Sequence, residues 1–230
     1  MTQIMFHTGG PAFHPVAEQA TMLMGWLGER YQYAMYDGVD AFEHLEACDL
    51  LVLMGLHWTG MSADWCGNLA YRPMDEEHRH AFESYIASGR PVLAHHGAIA
   101  SYDDWPRFGE LLGFTWVWGT TTHSPIDTYQ VQALPTQHPI ITGVYDYTIY
   151  DELYYNVRVT PGLAATVHAA TSWEEHPAPM ILSAQGGRTP GAGRTVYLAN
   201  GHDLRAFEAP MLKTIWVNAI TWLLAEAAAI

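Results

Sequence analysis

The chain is poor in basic residues, and in lysine above all. Ten Lys and Arg stand against 24 Asp and Glu among 230 residues, and Lys213 is the sole lysine. The formal charge is −14 with histidine neutral. Affinity for nucleic acid rests on neutralising phosphates with Lys and Arg, so no polyanion partner is expected. The same deficit speaks against docking on anionic membranes. Cysteine is scarce too: Cys48 and Cys66 make no disulfide framework and no metal-ligand spacing. No run of about 18 apolar residues occurs, so no membrane span is expected. The start, MTQIMFHTGG, lacks the basic and long apolar segments of a signal peptide, and a reducing cytoplasm is the expected compartment. The G-x-G-x-x-G fingerprint and the GK[ST] phosphate loop are missing as well, so no nucleotide is expected.

Histidine is abundant instead. Thirteen are present, more than all Lys and Arg together. Histidine is a proton carrier near neutral pH and a common metal ligand. It is also an ordinary packing residue, so position has to rank the thirteen.

In the first half, short apolar runs alternate with helical stretches. Ile4 to His7, Tyr31 to Met35, Asp49 to Met54 and Pro91 to Ala94 read as strands. Pro15 to Glu29, Val39 to Cys48 and Met74 to Ser88 read as helices. This alternation predicts βαβ units with right-handed crossovers, hence an α/β, doubly wound, mostly parallel sheet with helices on both faces. The second half adds strands at Phe114 to Trp118, Thr128 to Ala133, Ala164 to Ala169, Met180 to Ala184 and Thr195 to Ala199, then a helix from Pro210 to Glu226. Gly186-Gly187 to Gly193 reads as a hairpin turn. With no repeat and no linker, a single domain spanning 1–230 is expected.

Ligands of an open parallel sheet bind beyond the carboxyl ends of its strands. His7, His14, His57, His95, His96 and His202 all fall at or just after such ends. His44, His78 and His80 read as solvated helix residues, His138 as part of a turn, and His168 and His176 as structural. Ala94-His95-His96-Gly97-Ala98 has the small residues of a sharp strand-to-helix elbow, which would project His96 above the sheet edge. An imidazole there suits proton transfer or metal ligation, not an acyl-enzyme. Asp151-Glu152-Leu153-Tyr154, after an aromatic stretch from Tyr145 to Tyr150, offers the best carboxylate. Trp58, Trp105, Trp116 and Trp118 flank these loops, and flat aromatic faces suit sugar rings as well as cores.

Several of these segments together resemble the trehalose-utilisation (ThuA-like) family, which shares the class I glutamine-amidotransferase-like fold. They are His14-Pro15, Pro91 to Ala98, Trp105 to Gly113, Gly119 to His123, Gln137 to Gly143, Asp151 to Tyr154 and Gly201-His202, and they span nearly the whole chain. The sequence departs from the family at Gly97, where many relatives carry a small hydroxyl residue, and in the loop from His57-Trp58 to Asn68. The resemblance implies a flavodoxin-like core, with His96 where the amidotransferases have a cysteine nucleophile. It implies that His14, His96, His123, Glu152 and His202 gather in one pocket, and it associates the chain with disaccharide catabolism through 3-keto sugars.

The expected chemistry is therefore acid–base work on a sugar or keto-sugar. His96, Glu152 and His202 are the catalytic candidates. His57, Trp58, Asn200 and Asp203 are the candidate substrate contacts. His14 and His123, with some of His96 and Glu152, are candidate ligands of a divalent ion, zinc or manganese, that would polarise a carbonyl. A non-catalytic carbohydrate-binding or regulatory protein is the competing expectation, and an amidase-like hydrolase using Cys66 is a third. Tryptophan and tyrosine surfaces leave room for a homo-oligomer.

Overall fold

The first apolar run forms strand β1 (Gln3–Thr8), and helix α1 (Val16–Leu27) buries Val16, Ala20, Leu23 and Leu27 at helical spacing against it. The computed structural model describes residues 1–186 and 189–225, and at 65 and 68 the backbone alone. Strand β2 (Gln32–Asp37), a 3-10 segment (Gly38–Ala47) and strand β3 (Leu50–Leu53) follow. A one-turn helix α2 (Ala63–Cys66) then leads to α3 (Glu76–Ala87). Asp75 caps α3 by accepting from the His78 backbone N–H, and Gly89 at φ 81° turns the chain away from its end. Strand β4 (Val92–His95), a 3-10 turn (His96–Ala100), helix α4 (Arg107–Leu112) and the short β5 (Phe114–Thr115) complete the first half.

The second half contains β6 (Thr122–His123), β7 (Asp127–Ala133), β8 (Tyr147–Asp151), β9 (Tyr154–Tyr155) and β10 (Arg158–Val159). Then come β11 (Ala165–Trp173), β12 (His176–Ala184), β13 (Thr195–Leu198) and helix α5 (Pro210–Ala225). Three readings change here. Trp116 to Trp118 leave the sheet, because the Trp116 N–H bonds to the Ile99 carbonyl and a tight turn follows. His176 opens β12 and does not sit in a loop. The aromatic stretch ends in a strand, β8, whose Tyr147, Ile149 and Asp151 point inward while Thr148 and Tyr150 face out. Gly187 and Glu226 lie outside the described residues.

Nine strands share one sheet in the order β2-β1-β3-β4-β13-β12-β11-β7-β8. The first five are mutually parallel, and β1, β3, β4 and β13 follow the flavodoxin-like order around the first crossover. Every residue of β3, β4 and β13 is buried, as strands covered on both faces require. From β13 onward each pairing is antiparallel. The β7–β8 hairpin ends back at the carboxyl end of β13, where Asp151 bonds to residues 200–202.

Three histidines are built into this framework uncharged. His7 pairs with the Tyr102 hydroxyl at 2.9 Å, His95 with the Asn200 carbonyl at 3.0 Å, and His168 with Thr136 and Ser183 at 2.7 and 2.8 Å. Burial, then the neighbouring His57, holds His7 well below the usual imidazole value. Burial and His96 push His95 down to about 3, and burial and His138 push His168 down to about 4. In the unfolded chain these rings titrate near 6.5. Their folded values are depressed, so stability is intact above 6.5 and is lost as pH falls toward 3 to 4. His95 and His168 each cost about 2 kcal/mol at pH 5. The urea midpoint of the chelator-treated protein is therefore expected to drop between pH 7 and pH 5, and less steeply in His168→Gln. An unchanged midpoint would mean that the rings charge freely in the folded state.

Candidate active site

The elbow after β4 places His96. Its φ is 42°, a left-handed backbone that few non-glycine residues adopt. The ring is 2% exposed, and its Nδ1 donates to the Ala199 carbonyl at 2.7 Å. A carbonyl only accepts, so Nδ1 carries a proton; Nε2 carries a second one while it donates to Glu152, and it is the basic nitrogen once an ion on Glu152 displaces that proton. Nε2 lies 3.2 Å from Glu152 Oε1. His202, from the loop after β13, places Nδ1 3.2 Å from that same oxygen and 3.0 Å from His14 Nε2. His14 reaches in from the loop after β1, just before α1.

One ligand atom from each of His14, His96, Glu152 and His202 fits in a group no more than 4.8 Å across, and all four residues are buried. Tetrahedral zinc with bonds of ~2.0 Å spaces its ligand atoms by ~3.3 Å. The observed contacts of 3.0 to 3.2 Å lie near that spacing. The Ala199 bond fixes the His96 tautomer in the way that second-shell bonds orient metal-ligating histidines. Three imidazoles and one carboxylate, converging and buried, suit a divalent ion.

The electrostatics follow from this crowding. Burial alone would raise the Glu152 carboxyl, but hydrogen bonds from His123, His202 and His96 outweigh it and hold the group well below the carboxylate range. Burial lowers His96, yet the bond to Glu152 and the charges of Glu152 and Asp151 raise it overall. His14 is kept well below its usual value by burial, then by His96 and His202. A carboxyl held so far down is a weak base and a strong anion. Its place is beside a cation.

His123 stands at the mouth, half-exposed on β6. Its Nδ1 faces Glu152 Oε2 at 3.0 Å and the Ser124 carbonyl at 2.9 Å, two acceptors, so it carries a proton. The bond to Glu152 lifts it to about 9. It therefore lies beside the four-residue group as a proton carrier, whereas the sequence reading had it as a ligand. Geometry adds His202 to the residues that could hold an ion, beside His14, His96 and Glu152.

The proposed substrate contacts are scattered. His57 donates from Nε2 to the Thr8 carbonyl at 2.9 Å and packs against His7 and Tyr102, not against His96. Asn200 is buried and holds the Tyr147 hydroxyl and Asp151. Asp203 binds the Arg205 guanidinium. Trp58 stacks on Trp118. Cys48 is buried, and its thiol is pushed up to about 12. Cys66 sits in the remote α2 turn, its thiol also raised by desolvation.

Asp151 belongs to the carboxylate segment that the sequence singles out, but its role is structural and was not foreseen. It is 1% exposed and accepts from the backbone N–H of Gly201 and His202 at 2.8 and 2.9 Å and from Asn200 Nδ2 at 3.1 Å. It thus fixes the loop that carries His202. Tyr154, whose ring centroid is 4.2 Å from that of His96, was also missed as a site residue. Position beside Glu152 was the one available signal for both.

Gly97 explains a departure of the sequence. A Cβ there would lie 3.0 Å from His14 Cε1 and 3.2 Å from its Nδ1. Gly97→Ala is expected to displace the His14 ring by a few tenths of an ångström and weaken ion binding about tenfold, with little change in melting temperature. Competition titration with a chromophoric chelator measures this, and unchanged affinity would remove His14 from the ligand set.

Comparison with known proteins settles the family. The family model for trehalose utilisation, ThuA, matches residues 10–223. The chain belongs to the ThuA family. Among curated proteins none matches. A ThuA-like protein from Parabacteroides merdae shares the fold with a TM-score of 0.75 at 16% identity, covering 97% of this chain and 90% of that one. A second, from Bacteroides uniformis, gives 0.70 at 19%, covering 97% and 91%. A glutamine amidotransferase from Thermotoga maritima gives 0.53 at 9%, covering 100% and 99%. These likenesses establish the flavodoxin-like, amidotransferase-like fold. Among the described residues of this ThuA chain, no helix is long and apolar enough to cross a membrane.

Proposed function

We propose that this ThuA-family chain is a carbohydrate-processing enzyme that performs acid–base chemistry on a 3-keto sugar or glycoside with the help of a divalent ion. One observation carries the reading: the buried His14–His96–Glu152–His202 group at the carboxyl edge of the sheet. His14, Glu152 and His202 would hold zinc or manganese, a set of two imidazoles and one carboxylate that leaves a position open. The ion would polarise the carbonyl oxygen at carbon 3.

That carbonyl acidifies the neighbouring C–H. His96 Nε2, oriented by the Ala199 carbonyl, is the base that takes the proton. His123 is protonated at neutral pH and half-exposed, and supplies a proton to the departing oxygen. Burial of the group excludes bulk water.

The test is metal analysis of untagged protein purified without chelators, beside turnover of 3-keto disaccharides. One equivalent of ion, with turnover abolished in EDTA and restored by zinc or manganese, is expected. No ion and full turnover in EDTA would remove the metal. Sugar binding that survives His96→Ala, with no turnover by the wild type, would make the protein a binding module.

A further inference from the structure

The rings around His96 continue outward. Tyr154 touches His96, and Trp116 lies edge-on to Tyr154 with centroids 4.8 Å apart. Trp118 follows at 5.7 Å from Trp116, and Trp58 stacks on Trp118 at 6.1 Å and 24°. Trp118 is 49% exposed, an unusual position for the largest apolar side chain.

It is held there on purpose-built backbone. The Thr120 and Thr121 N–H groups both bond to the Val117 carbonyl, and Thr121 Oγ1 bridges from the Val117 N–H to the Asn156 carbonyl. The loop beside Trp58 is pinned as well, by Thr59 donating twice to Asp103. Two indoles held before any ligand arrives lose little entropy on binding. Trp116 and Trp118 also line a hollow of about 400 Å³ together with Arg158. The Arg158 guanidinium makes no hydrogen bond or ion pair among the described residues, so its five donors are available to hydroxyl groups.

A flat apolar face with a fork of donors beside it matches the chemistry of a pyranose, which has axial C–H groups on one face and hydroxyls at its rim. We propose that Trp118, backed by Trp58, is the platform for a sugar ring, and that the substrate carries two rings. Tyr154 and Trp116 stand between Trp118 and His96 in this series of rings, so a single pyranose stacked on Trp118 leaves the His96 end of the series uncovered. The second ring occupies that place. This rests on the reading of the buried histidine group as sugar-processing, and it assigns the selectivity for a disaccharide to Trp118.

Calorimetric titration of trehalose and of glucose tests it, using wild type, Trp118→Ala, Trp118→Phe and Tyr145→Ala, the last an exposed aromatic remote from this chain of rings. Wild type is expected to bind trehalose at least about tenfold more tightly than glucose, the equivalent of ~1.4 kcal/mol of stacking. Trp118→Ala loses that advantage, Trp118→Phe keeps most of it, and Tyr145→Ala matches wild type. Equal affinity for the two sugars, no binding of either, or full trehalose affinity in Trp118→Ala overturns the proposal. Repeating the titration after EDTA treatment separates the two readings. A Trp118 effect that persists in protein without ion or turnover leaves the platform standing and the catalytic reading fallen.

Discussion

Glu152→Gln is expected to lower turnover by about 10²- to 10⁴-fold and to release the ion. The substitution keeps size and shape and removes the charge. Glu152 is the one group in the cluster that meets His96, His123 and His202 at once, at 3.2, 3.0 and 3.2 Å. A glutamine amide can accept through its oxygen, but its NH2 faces a second imidazole proton or a cation and repels it. The His123 ring then loses the partner that lifts its proton affinity, so the titration of that ring, followed by NMR, moves back toward neutral pH. Metal content, turnover and the His123 titration are read from one preparation. Glu152→Gln protein that keeps both ion and turnover would falsify the assignment of this carboxylate.

Asp151→Ala is expected to be the most destabilising single change at the site, by about 3 to 5 kcal/mol. The side chain touches no ligand atom of the cluster. It accepts from Asn200, Gly201 and His202, and their three donors would be left in a dry interior. For a chain of this size the loss corresponds to roughly 10 °C in melting temperature. Asp151→Asn should fall between wild type and alanine, since one oxygen still accepts while the amide NH2 meets a backbone donor head-on. The loop would also release His202, so ion affinity falls with stability. A melting temperature within 2 °C of wild type, by the same scale, would mean that solvent or a neighbour replaces the clamp.

Much of this arrangement is legible in the residues. The parallel half announces itself, since Leu50 to Leu53 and Val92 to Ala94 are apolar throughout and alternate with helical patterns. The family resemblance favoured His14, His96 and His202 among the six histidines picked out by the rule that sites lie beyond strand ends. That rule does not say which way each ring turns. Successive side chains leave a strand on opposite sides. His95 thus packs against Phe207 and Trp216 while its neighbour His96 meets Glu152. His7 and His57 turn toward Tyr102. Strand β8 was obscured because tyrosines occupy both its buried and its exposed positions, which flattens the alternation. The clamping role of Asp151 was illegible for a different reason: its partners lie about fifty positions later in the chain, and two of its bonds are to backbone, which no side-chain pattern marks.

The Asp151 clamp also gives the protein a built-in order of assembly. The cluster draws on positions 14, 96, 152 and 202, so no short contiguous fragment contains it. The loop bearing His202 takes its shape from a carboxylate at the end of β8, and β8 reaches the sheet only through β7 and β11. Such distant pairings form late because long loops must close before they are rewarded. An ion added during refolding would therefore be captured at the last step, and its uptake would serve as a clock for completion of the native chain.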